Sequence, residues 1–559
     1  MTNSRFVLRH SPSYMKKKFY LVFLGGLLAG CTHKSVDLLV TNAQIYTASD
    51  QQPTAEAVAI RKGIFVAVGS TQDITKKYRA KKTWDAQGHA VFPGLYDPHA
   101  HFVGLGQLLS QCDLVGSTSY EDVISKLQVF AAKNPGNDWL IGRGWDQNDW
   151  PTTGFPTKEA LDQAFPNRPV ALTRIDGHAL LVNSKALQLA RITSTTRVDG
   201  GDVLLEQGEP TGVLIDNAMG LVRRVIPKPT EEEQRTMILA AEKACFEVGL
   251  TTVSDAGLNR DDIELIEKMH KEGSLKIRDY VMVSLGIGNL DYYLKRGIIK
   301  TDRLHVRSIK LYADGALGSR GACLLEPYAD APDQTGFLLL SPDELRRSLT
   351  QIFASDYQAN THCIGDSANR LTLSIYGDLL KGKNNRRWRI EHAQIVHPDD
   401  LPKFGQYQVI PSIQATHATS DMYWAGKRLG PVREKHGYAF QSLLQQNGVL
   451  ANGSDFPVEH INPLFGFHAA VARQDDNQFP SGGYQMENAL TREQALKAMT
   501  LWSAYANFEE KERGSIEVGK MADFVILDQD IMKIPAEKIR KTKVKSTFVA
   551  GEMVFNTSK

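Results

Sequence analysis

Between residues 36 and 69, apolar and polar positions alternate in short runs that Gly63 and Gly69 interrupt. Alternation with a period of two is typical of strands that bury one face. Residues 514–527 and 544–555 repeat this pattern near the other end of the chain. We therefore predict that residues 36–90 and 509–559 pair into one small β-sandwich.

The middle of the chain, residues 91–508, shows apolar strand-like runs that are separated by longer stretches with helical periodicity. This order is typical of parallel βα units, and eight such strands close a barrel. The candidate strands are residues 90–102, 250–256, 277–285, 306–313, 358–364, 388–395, 409–415 and 449–455. We predict an α/β fold, a (β/α)8 TIM barrel, for this part of the chain.

One interval in the barrel pattern is much longer than the others. About 150 residues separate the first candidate strand from the second, too many for a single crossover connection. We predict an insertion at about residues 113–230, and insertions on a barrel commonly form lids or pocket walls. Its Trp145 and His178 suit the wall of a substrate pocket, although tryptophans that anchor a separate small core are the alternative.

The first thirty residues carry a different signal. Three lysines at residues 16–18 precede an apolar run that is too short to be a permanent transmembrane helix and that ends at Cys31. We interpret residues 1–30 as a signal peptide whose true start is Met15. Residues 28–31, which end with Cys31, resemble a bacterial lipobox. This resemblance implies cleavage before Cys31 and lipidation of the cysteine. A buried apolar helix is the alternative, but it fits three leading lysines poorly.

These features predict an exported lipoprotein, with residues 31–35 as a tether that holds the folded body close to a membrane. We expect the folded body to lie on the periplasmic or cell-surface side of a bacterial membrane.

Length and charge narrow the classes of function. With 559 residues, 42% of them hydrophobic, the chain can bury a barrel and an accessory unit. Lys and Arg total 65 against 63 Asp and Glu, so no excess of basic charge favours nucleic acid as a partner. The five cysteines are far apart and form no CxxC pair, which argues against a zinc ribbon and a disulfide framework.

Two histidines, His99 and His101, lie at the carboxyl end of the first candidate strand. Side chains two positions apart on a strand point to the same face, so both imidazoles can face the barrel interior. The carboxyl ends of barrel strands form the catalytic mouth of this fold. A His-x-His pair alone is a weak signal, but at this place it favours a metal site.

Three later strand ends add His362, His392 and Asp455. Each alone is more often a hydrogen-bonded core histidine or a helix N-cap, yet such side chains at four strand ends favour divalent metal. Imidazole-rich ligation makes zinc the first choice, as one or two ions, with manganese, iron and cobalt left open.

These motifs resemble the amidohydrolase superfamily, in the family 3 branch that is similar to N-substituted formamide deformylases. The resemblance covers nearly everything after Cys31, and its most specific segments are residues 92–101, 143–150, 176–178, 310–320, 362–366 and 453–457. It implies that Lys310, at the end of the fourth strand, is carboxylated on its side-chain nitrogen, so that a carbamate can bridge two metal ions. The alternative is a lysine that pairs with Asp314 or binds an anionic substrate group.

The resemblance also implies roles for the site residues. Asp455 is expected to be the acid/base that takes a proton from metal-bound water and returns it to the leaving nitrogen. With two ions, the implied ligand sets are His99, His101, Lys310 and Asp455 for one and Lys310, His362 and His392 for the other. His178 is a candidate contact to the oxyanion or substrate, and the remaining candidates on the substrate side are Trp145, Asp314, Arg320, Gln414 and His417.

We therefore expect a metal-dependent amidohydrolase that hydrolyses a carbon–nitrogen bond of a small non-peptide amide. Heterocycle deamination is an alternative, although no glutamate closely follows His362, where deaminases on this barrel carry one. Ester or lactone hydrolysis uses the same chemistry and stays open. A non-catalytic surface lipoprotein is a minor alternative, because all six ligand positions are filled. The expected partners are the amide and a membrane through Cys31; whether the chain forms a homo-oligomer is left open.

Overall fold

The computed structural model describes residues 33–136, 139–151, 154–175, 177–199, 201–286 and 288–557. The predicted signal peptide, Cys31 and Asp176 lie outside these residues. Among the helices in the described ranges, none is both long enough and apolar enough to cross a bilayer.

Eight parallel strands form the central sheet, and their spatial order is their order along the chain. They are Leu95–Ala100, Leu250–Leu258, Arg278–Ser284, Leu304–Tyr312, Gln358–Cys363, Arg389–His392, Ile410–Gln414 and Ala451–Gly453. We call these barrel strands one to eight. Each overlaps one predicted strand, so the predicted barrel is confirmed. The short strand Ile299–Lys300 pairs antiparallel with barrel strand four.

The sheet closes where its first and last strands meet. Just beyond strand eight, the backbone N–H of Asp455 donates to the carbonyl of His99 at 2.8 Å. The N–H of His101 donates to the carbonyl of Phe456 at 2.7 Å. Closure therefore takes place beside the residues that were predicted to bind metal.

The first predicted strand, residues 90–102, is in fact two strands that belong to different sheets. Ala90–Pro93 joins the accessory sandwich, and the barrel strand begins at Leu95. The break between the two strands lies at Gly94. A Cβ at this position would overlap the side chain of Thr251, so the close approach of the two segments requires glycine. The apolar run shows no interruption here because both strands are buried.

Helices surround the barrel and pack on its outer face. The longer ones are Phe102–Leu109, Glu231–Glu247, Arg260–Glu272, Asn289–Arg296, Pro342–Phe353, Asp366–Leu380, Ala425–Arg433, Phe440–Asn447 and Pro463–Ala472. Local sequence sets where two of them begin: Thr230 and Ser341 each form a capping box with the glutamate three positions later. Shorter helices are Leu401–Gln406, Ala415–Asp421, Arg492–Ala498 and Leu501–Ala506.

Both ends of the described chain build the accessory sandwich. One sheet has the spatial order Ile64–Gly69, Ala57–Arg61, Lys34–Thr41 and Tyr78–Asp85. The other has the order Glu552–Asn556, Val544–Val549, Phe524–Leu527, Ala90–Pro93, Gln44–Tyr46 and Thr54–Ala55. Val91 pairs with Ile526 in the second sheet, which ties the two ends together. The small helices Thr71–Lys77 and Ala536–Ile539 complete this part of the chain.

One buried ion pair links the sandwich to the barrel. The guanidinium of Arg278, at the start of barrel strand three, donates to both carboxylate oxygens of Asp523, at 2.7 and 2.9 Å. The backbone N–H of Ala550 donates to the same carboxylate. A buried charge pair with this many hydrogen bonds holds the two parts in one relative position.

The segment between barrel strands one and two forms its own sheet. Its strands in spatial order are Gly201–Glu206, Glu209–Asp216, Ala179–Val182, Val170–Arg174, Leu140–Trp145 and Cys112–Asp113. Its helices are Tyr120–Lys133, Glu159–Ala164, Ser184–Leu189 and Met219–Arg223. Trp145, Trp150 and Leu172 pack in a core that belongs to this segment.

Candidate metal centre

Three buried side chains meet at the carboxyl ends of barrel strands one, six and eight. One ligand atom from each of His99, His392 and Asp455 lies within 4.8 Å of the other two. Imidazole and carboxylate together form a donor set that zinc and related divalent metals accept in proteins. This group could hold a metal ion.

The other predicted ligands lie around these three. His101 Nε2 is 3.2 Å from Asp455 Oδ1, and His99 Nε2 is 3.4 Å from the same oxygen. The ring of His362 packs against the ring of His392, with 4.4 Å between their centroids. The fold thus brings side chains from four strand ends into one cluster.

Lys310 reaches this cluster from the end of barrel strand four. Its Nζ lies 3.2 Å from His99 Nε2, and the side chain is buried. Burial lowers the pKa of Lys310 to about 8. Asp314, the alternative partner for this lysine, instead accepts three backbone N–H groups, from Cys323, Ile364 and Gly365.

The protonation states of the cluster fit a metal. Burial, assisted by the charge of Lys310, lowers the pKa of His99 to about 4 and that of His362 to about 3, so both imidazoles are neutral at pH 7. Burial opposes ionisation of Asp455, but the hydrogen bond from His101 and the nearby histidines outweigh it and hold the pKa of Asp455 well below its usual value. Neutral imidazole and ionised carboxylate are the forms that bind metal.

One ring nitrogen gives independent support. His362 Nε2 is buried and makes no hydrogen bond to any residue that the structure describes. Asp314 Oδ1 lies 3.7 Å from this nitrogen, beyond hydrogen-bond distance. A buried polar atom without a hydrogen bond is costly, and an ion is one of the ways to satisfy it. The residues present therefore fit a divalent metal.

Glu391 fixes the orientation of His99. Its Oε2 lies 2.5 Å from His99 Nδ1 and accepts from Arg389 at 2.9 Å, while Arg389 Nε is 2.7 Å from Oε1. All three side chains are buried. A carboxylate behind a ligand imidazole selects the tautomer that presents Nε2 to the metal. Sequence reasoning missed this role, although Glu391 directly precedes His392 and shares a strand face with Arg389.

Gln414 performs the same task for His392. Its Oε1 accepts a hydrogen bond from His392 Nδ1 at 2.7 Å. The sequence predicts a substrate contact for Gln414, whereas in the structure its side chain orients His392. His417 lies nearby, with its ring centroid 6.0 Å from that of His392, and its buried Nε2 has no partner among the described residues.

Asp97 joins the ends of barrel strands one and eight beneath the cluster. It accepts hydrogen bonds from the Ser454 hydroxyl at 2.6 Å and from the His99 backbone N–H at 3.1 Å. A Cβ at Gly453 would lie 2.6 Å from Asp97 Oδ1, so only glycine permits this approach. Asp97 was also missed, since the spacing of a sequence motif does not show which strand its carboxylate contacts.

Two residues of the cluster have unusual backbone conformations. His392 has a φ of 73° and Asp455 a φ of 62°, in the left-handed region. Such conformations cost on the order of 1–3 kcal/mol and persist where the surrounding structure enforces them. Here they turn both side chains inward just where their strands end.

The remaining predicted residues lie in other environments. Trp145 is fully buried and donates from Nε1 to the carbonyl of Leu172, so it anchors the inserted segment and does not line a pocket. Arg320 forms an ion pair with Asp330 at 3.0 Å and braces a loop. His178 is largely exposed, with Nδ1 2.7 Å from Asp216 Oδ1. The structure does not bring Trp145 or Arg320 into the metal cluster.

Comparisons with known proteins identify the family of the chain. A family model described as "Amidohydrolase family" matches residues 82–555. Protein LONG AFTER FAR-RED 3 of Arabidopsis thaliana is 34% identical over 93% of this chain and 91% of its own length. An N-substituted formamide deformylase of Arthrobacter pascens is 24% identical over 92% and 97%.

A solved structure gives the same result for the fold. An uncharacterized metal-dependent hydrolase from Pyrococcus horikoshii superposes with a TM-score of 0.76 and 27% identity, over 89% of this chain and 99% of that one. The match of the family model over most of the chain confirms the predicted family. The chain belongs to the amidohydrolase family and is a hydrolase.

Proposed function

We propose that this chain hydrolyses the carbon–nitrogen bond of a small non-peptide amide, with metal-activated water as the nucleophile. The observation that carries the proposal is the convergence of His99, His392 and Asp455 at the carboxyl end of the barrel, with Lys310 in contact with His99. One relative, the deformylase of Arthrobacter pascens, is named for cleavage of N-substituted formamides, which supports amides as the substrate class.

Six side chains would hold one or two divalent ions, with zinc as the first choice. They are His99, His101, Lys310, His362, His392 and Asp455. When bound, a metal lowers the pKa of coordinated water towards about 7 and polarises the carbonyl of the substrate.

Asp455 is the proton carrier in this proposal. Its carboxylate is ionised at neutral pH, because the pKa of Asp455 lies well below its usual value. It can accept a proton from the attacking water and deliver that proton to the leaving nitrogen, so that an amine and a carboxylic acid are released. The low pKa favours the ionised form before the attack.

Lys310 is proposed to carry a carboxyl group on its nitrogen. Since burial lowers the pKa of Lys310 to about 8, part of the amine is neutral near pH 7 and can attack carbon dioxide. The ammonium first releases one proton. Addition of the neutral amine to carbon dioxide then forms a nitrogen–carbon bond and releases a second proton, so that an anionic carbamate replaces a cation. The carbamate would remove the repulsion that an ammonium group exerts on a bound cation.

We also propose export as a lipoprotein anchored through Cys31, which rests on the lysines and apolar run before that residue. Labelling of growing cells with a radioactive fatty acid tests it. The wild-type chain should carry label and Cys31→Ser should not; label on both or on neither would count against the anchor.

A hydrolysis screen tests the enzymatic proposal. Protein loaded with zinc or manganese is offered N-formyl amines, N-acyl amino acids, dipeptides, cyclic amides and lactones, and released amine or acid is measured. We expect turnover of at least one non-peptide amide. A protein that turns over lactones but none of the amides would reject the proposed bond class.

A further inference from the structure

A cavity opens on the opposite face of the barrel from the metal cluster. Its volume is about 310 Å³, and its walls are Arg307, Asp356, Asn384, Asn385, Arg386 and Phe508. Arg307 lies in the first half of barrel strand four, and residues 356 and 384–386 shortly precede strands five and six. The cavity therefore lies at the amino ends of the strands. We call it the arginine cavity.

Arg307 is the unusual member of this wall. Its guanidinium makes no hydrogen bond and no ion pair with any described residue, and its Nε is buried. Desolvation and the neighbouring charges of Arg386 and Arg387 lower the pKa of Arg307. Buried arginine nitrogens are normally paired with an anion or a carbonyl oxygen, so this guanidinium retains unused donors.

Phe508 holds the guanidinium in place. The Arg307 guanidinium carbon lies 3.7 Å from the centre of the Phe508 ring, and that of Arg387 lies 4.5 Å from the same ring. Phe508 has a φ of 60°, a strained conformation for a bulky residue. Such a conformation persists because the surrounding structure enforces it, so the position of the Phe508 ring under the guanidinium is fixed by the fold.

The neighbouring arginines differ in how they are paired. Arg387 is committed to Glu510, with hydrogen bonds of 2.8 and 3.0 Å. Arg386 donates to the Ser355 carbonyl and stacks on Phe353, but it has no ion pair with a described carboxylate. Asp356 is the acidic side chain in the cavity wall; its charge raises the pKa of Arg307, but it forms no ion pair within 4 Å with Arg307 or Arg386. The cavity thus has an excess of positive charge.

We propose that the arginine cavity binds a phosphate group, as inorganic phosphate or on a small phosphomonoester. A guanidinium presents its N–H groups as a planar fork that matches two oxygens of a phosphate. Arg307 supplies that fork, and Arg386 supplies a second positive charge. The volume lies at the small end of the range for ligand pockets, which suits a compact anion and not a long chain.

Phosphate also binds metal ions, so the test must distinguish binding in the arginine cavity from binding at the metal centre. Isothermal titration calorimetry with inorganic phosphate, and in a second arm with glycerol 3-phosphate, is run on the full metal-loaded protein and on Arg307→Gln. We expect the variant to bind about tenfold more weakly or worse, the loss expected for a charged hydrogen bond. Unchanged affinity in Arg307→Gln would assign the binding to the metal centre and overturn the proposal.

A matched control and a conservative variant accompany this titration. Arg346 is an exposed helix residue whose guanidinium pairs with Asp378, so Arg346→Gln should leave phosphate binding unchanged. Arg307→Lys keeps the charge but loses the fork, and it should bind with an affinity between those of the wild type and Arg307→Gln. Equal losses in the Arg307 and Arg346 variants would indicate a general charge effect and would also overturn the proposal.

A measurement on the wild-type protein avoids any effect of substitution on folding. Phenylglyoxal modifies accessible arginines, and the modified positions are mapped by mass spectrometry. Phosphate should protect Arg307 and Arg386 while leaving Arg346 reactive, and chloride at equal ionic strength should protect none. Modification of Arg307 at the same rate with and without phosphate contradicts the proposal.

Discussion

His99 Nδ1 lies 2.5 Å from Glu391 Oε2, and Arg389 contacts the same carboxylate on its other side. The three side chains come from barrel strands one and six, which lie far apart around the barrel. Burial raises the cost of the Glu391 charge, but Arg389 and His99 outweigh it and hold the pKa of Glu391 far below its usual value. The orientation of a metal ligand thus depends on a charge pair inside the barrel.

Replacing Glu391 by glutamine should weaken metal binding about 10- to 100-fold, because the His99 tautomer is no longer fixed by a charge. It should also destabilise the fold by about 3–5 kcal/mol, because Arg389 is left buried without its partner. Metal content by mass spectrometry and unfolding by denaturant measure the two effects. Glu232→Gln on the exposed face of helix Glu231–Glu247 is the control. A Glu391 variant with normal metal affinity would show that His99 needs no such support.

Asp455→Asn should lower kcat by about 10²–10⁴, because the amide cannot accept a proton from water. Metal should remain detectable, since the histidines and Lys310 are unchanged. Kinetics and metal analysis on one sample separate the two roles of this residue. The exposed-loop variant Asp330→Asn is the comparison, and near-normal turnover by Asp455→Asn would contradict the assigned acid/base role.

Trp145→Phe should destabilise the inserted segment by about 1 kcal/mol and leave KM for substrate unchanged. The indole N–H donates to the carbonyl of Leu172 in a core that excludes water, and phenylalanine cannot make this bond. Denaturant unfolding measures the predicted loss of stability, and steady-state kinetics measure KM. If Trp145→Phe raised KM severalfold without loss of stability, the result would show that Trp145 contributes to substrate binding.

The Arg278–Asp523 pair should make the free energy of unfolding depend on pH in the acidic range. Burial raises the cost of the Asp523 charge, but Arg278 outweighs it, so the folded pKa of Asp523 lies below its usual value near 4. Its stabilisation is present above the unfolded pKa and is lost as the pH falls from about 4 towards the lower folded pKa. Denaturant unfolding of the wild type between pH 7 and pH 3 measures this loss.

Asp523→Asn is the variant that isolates this contribution. It should be about 3–5 kcal/mol less stable at pH 7, because Arg278 stays buried without a charged partner. It should lose less stability than the wild type when the pH falls below about 4. A variant whose acid profile matches that of the wild type would show that other carboxylates cause the acid sensitivity.

The sequence was most informative where one strand shows an apolar run and also carries a metal-ligating side chain at its end. Apolar runs located all eight barrel strands, and His99, His362 and Asp455 could be picked out because each follows such a run. Lys310 was identified only through resemblance to a family, since an isolated lysine carries no metal signal of its own.

What the sequence did not reveal are contacts between side chains on different strands. In the sequence, nothing distinguishes Glu391 and Asp97 from other acidic residues. Only the closed barrel brings Glu391 against His99 and Asp97 against Ser454. Nor did the apolar run around Gly94 show where one sheet ends and another begins, because both flanking strands are equally buried.

The pairing of Val91 with Ile526 has a consequence for the order of events during synthesis. Strand Ala90–Pro93 has its antiparallel neighbour in Phe524–Leu527, which leaves the ribosome only after the whole barrel has been translated. His99 lies a few residues after this strand, on barrel strand one, whose neighbours are barrel strands two and eight. An incomplete barrel therefore does not yet hold His99 beside Asp455, which follows the last barrel strand.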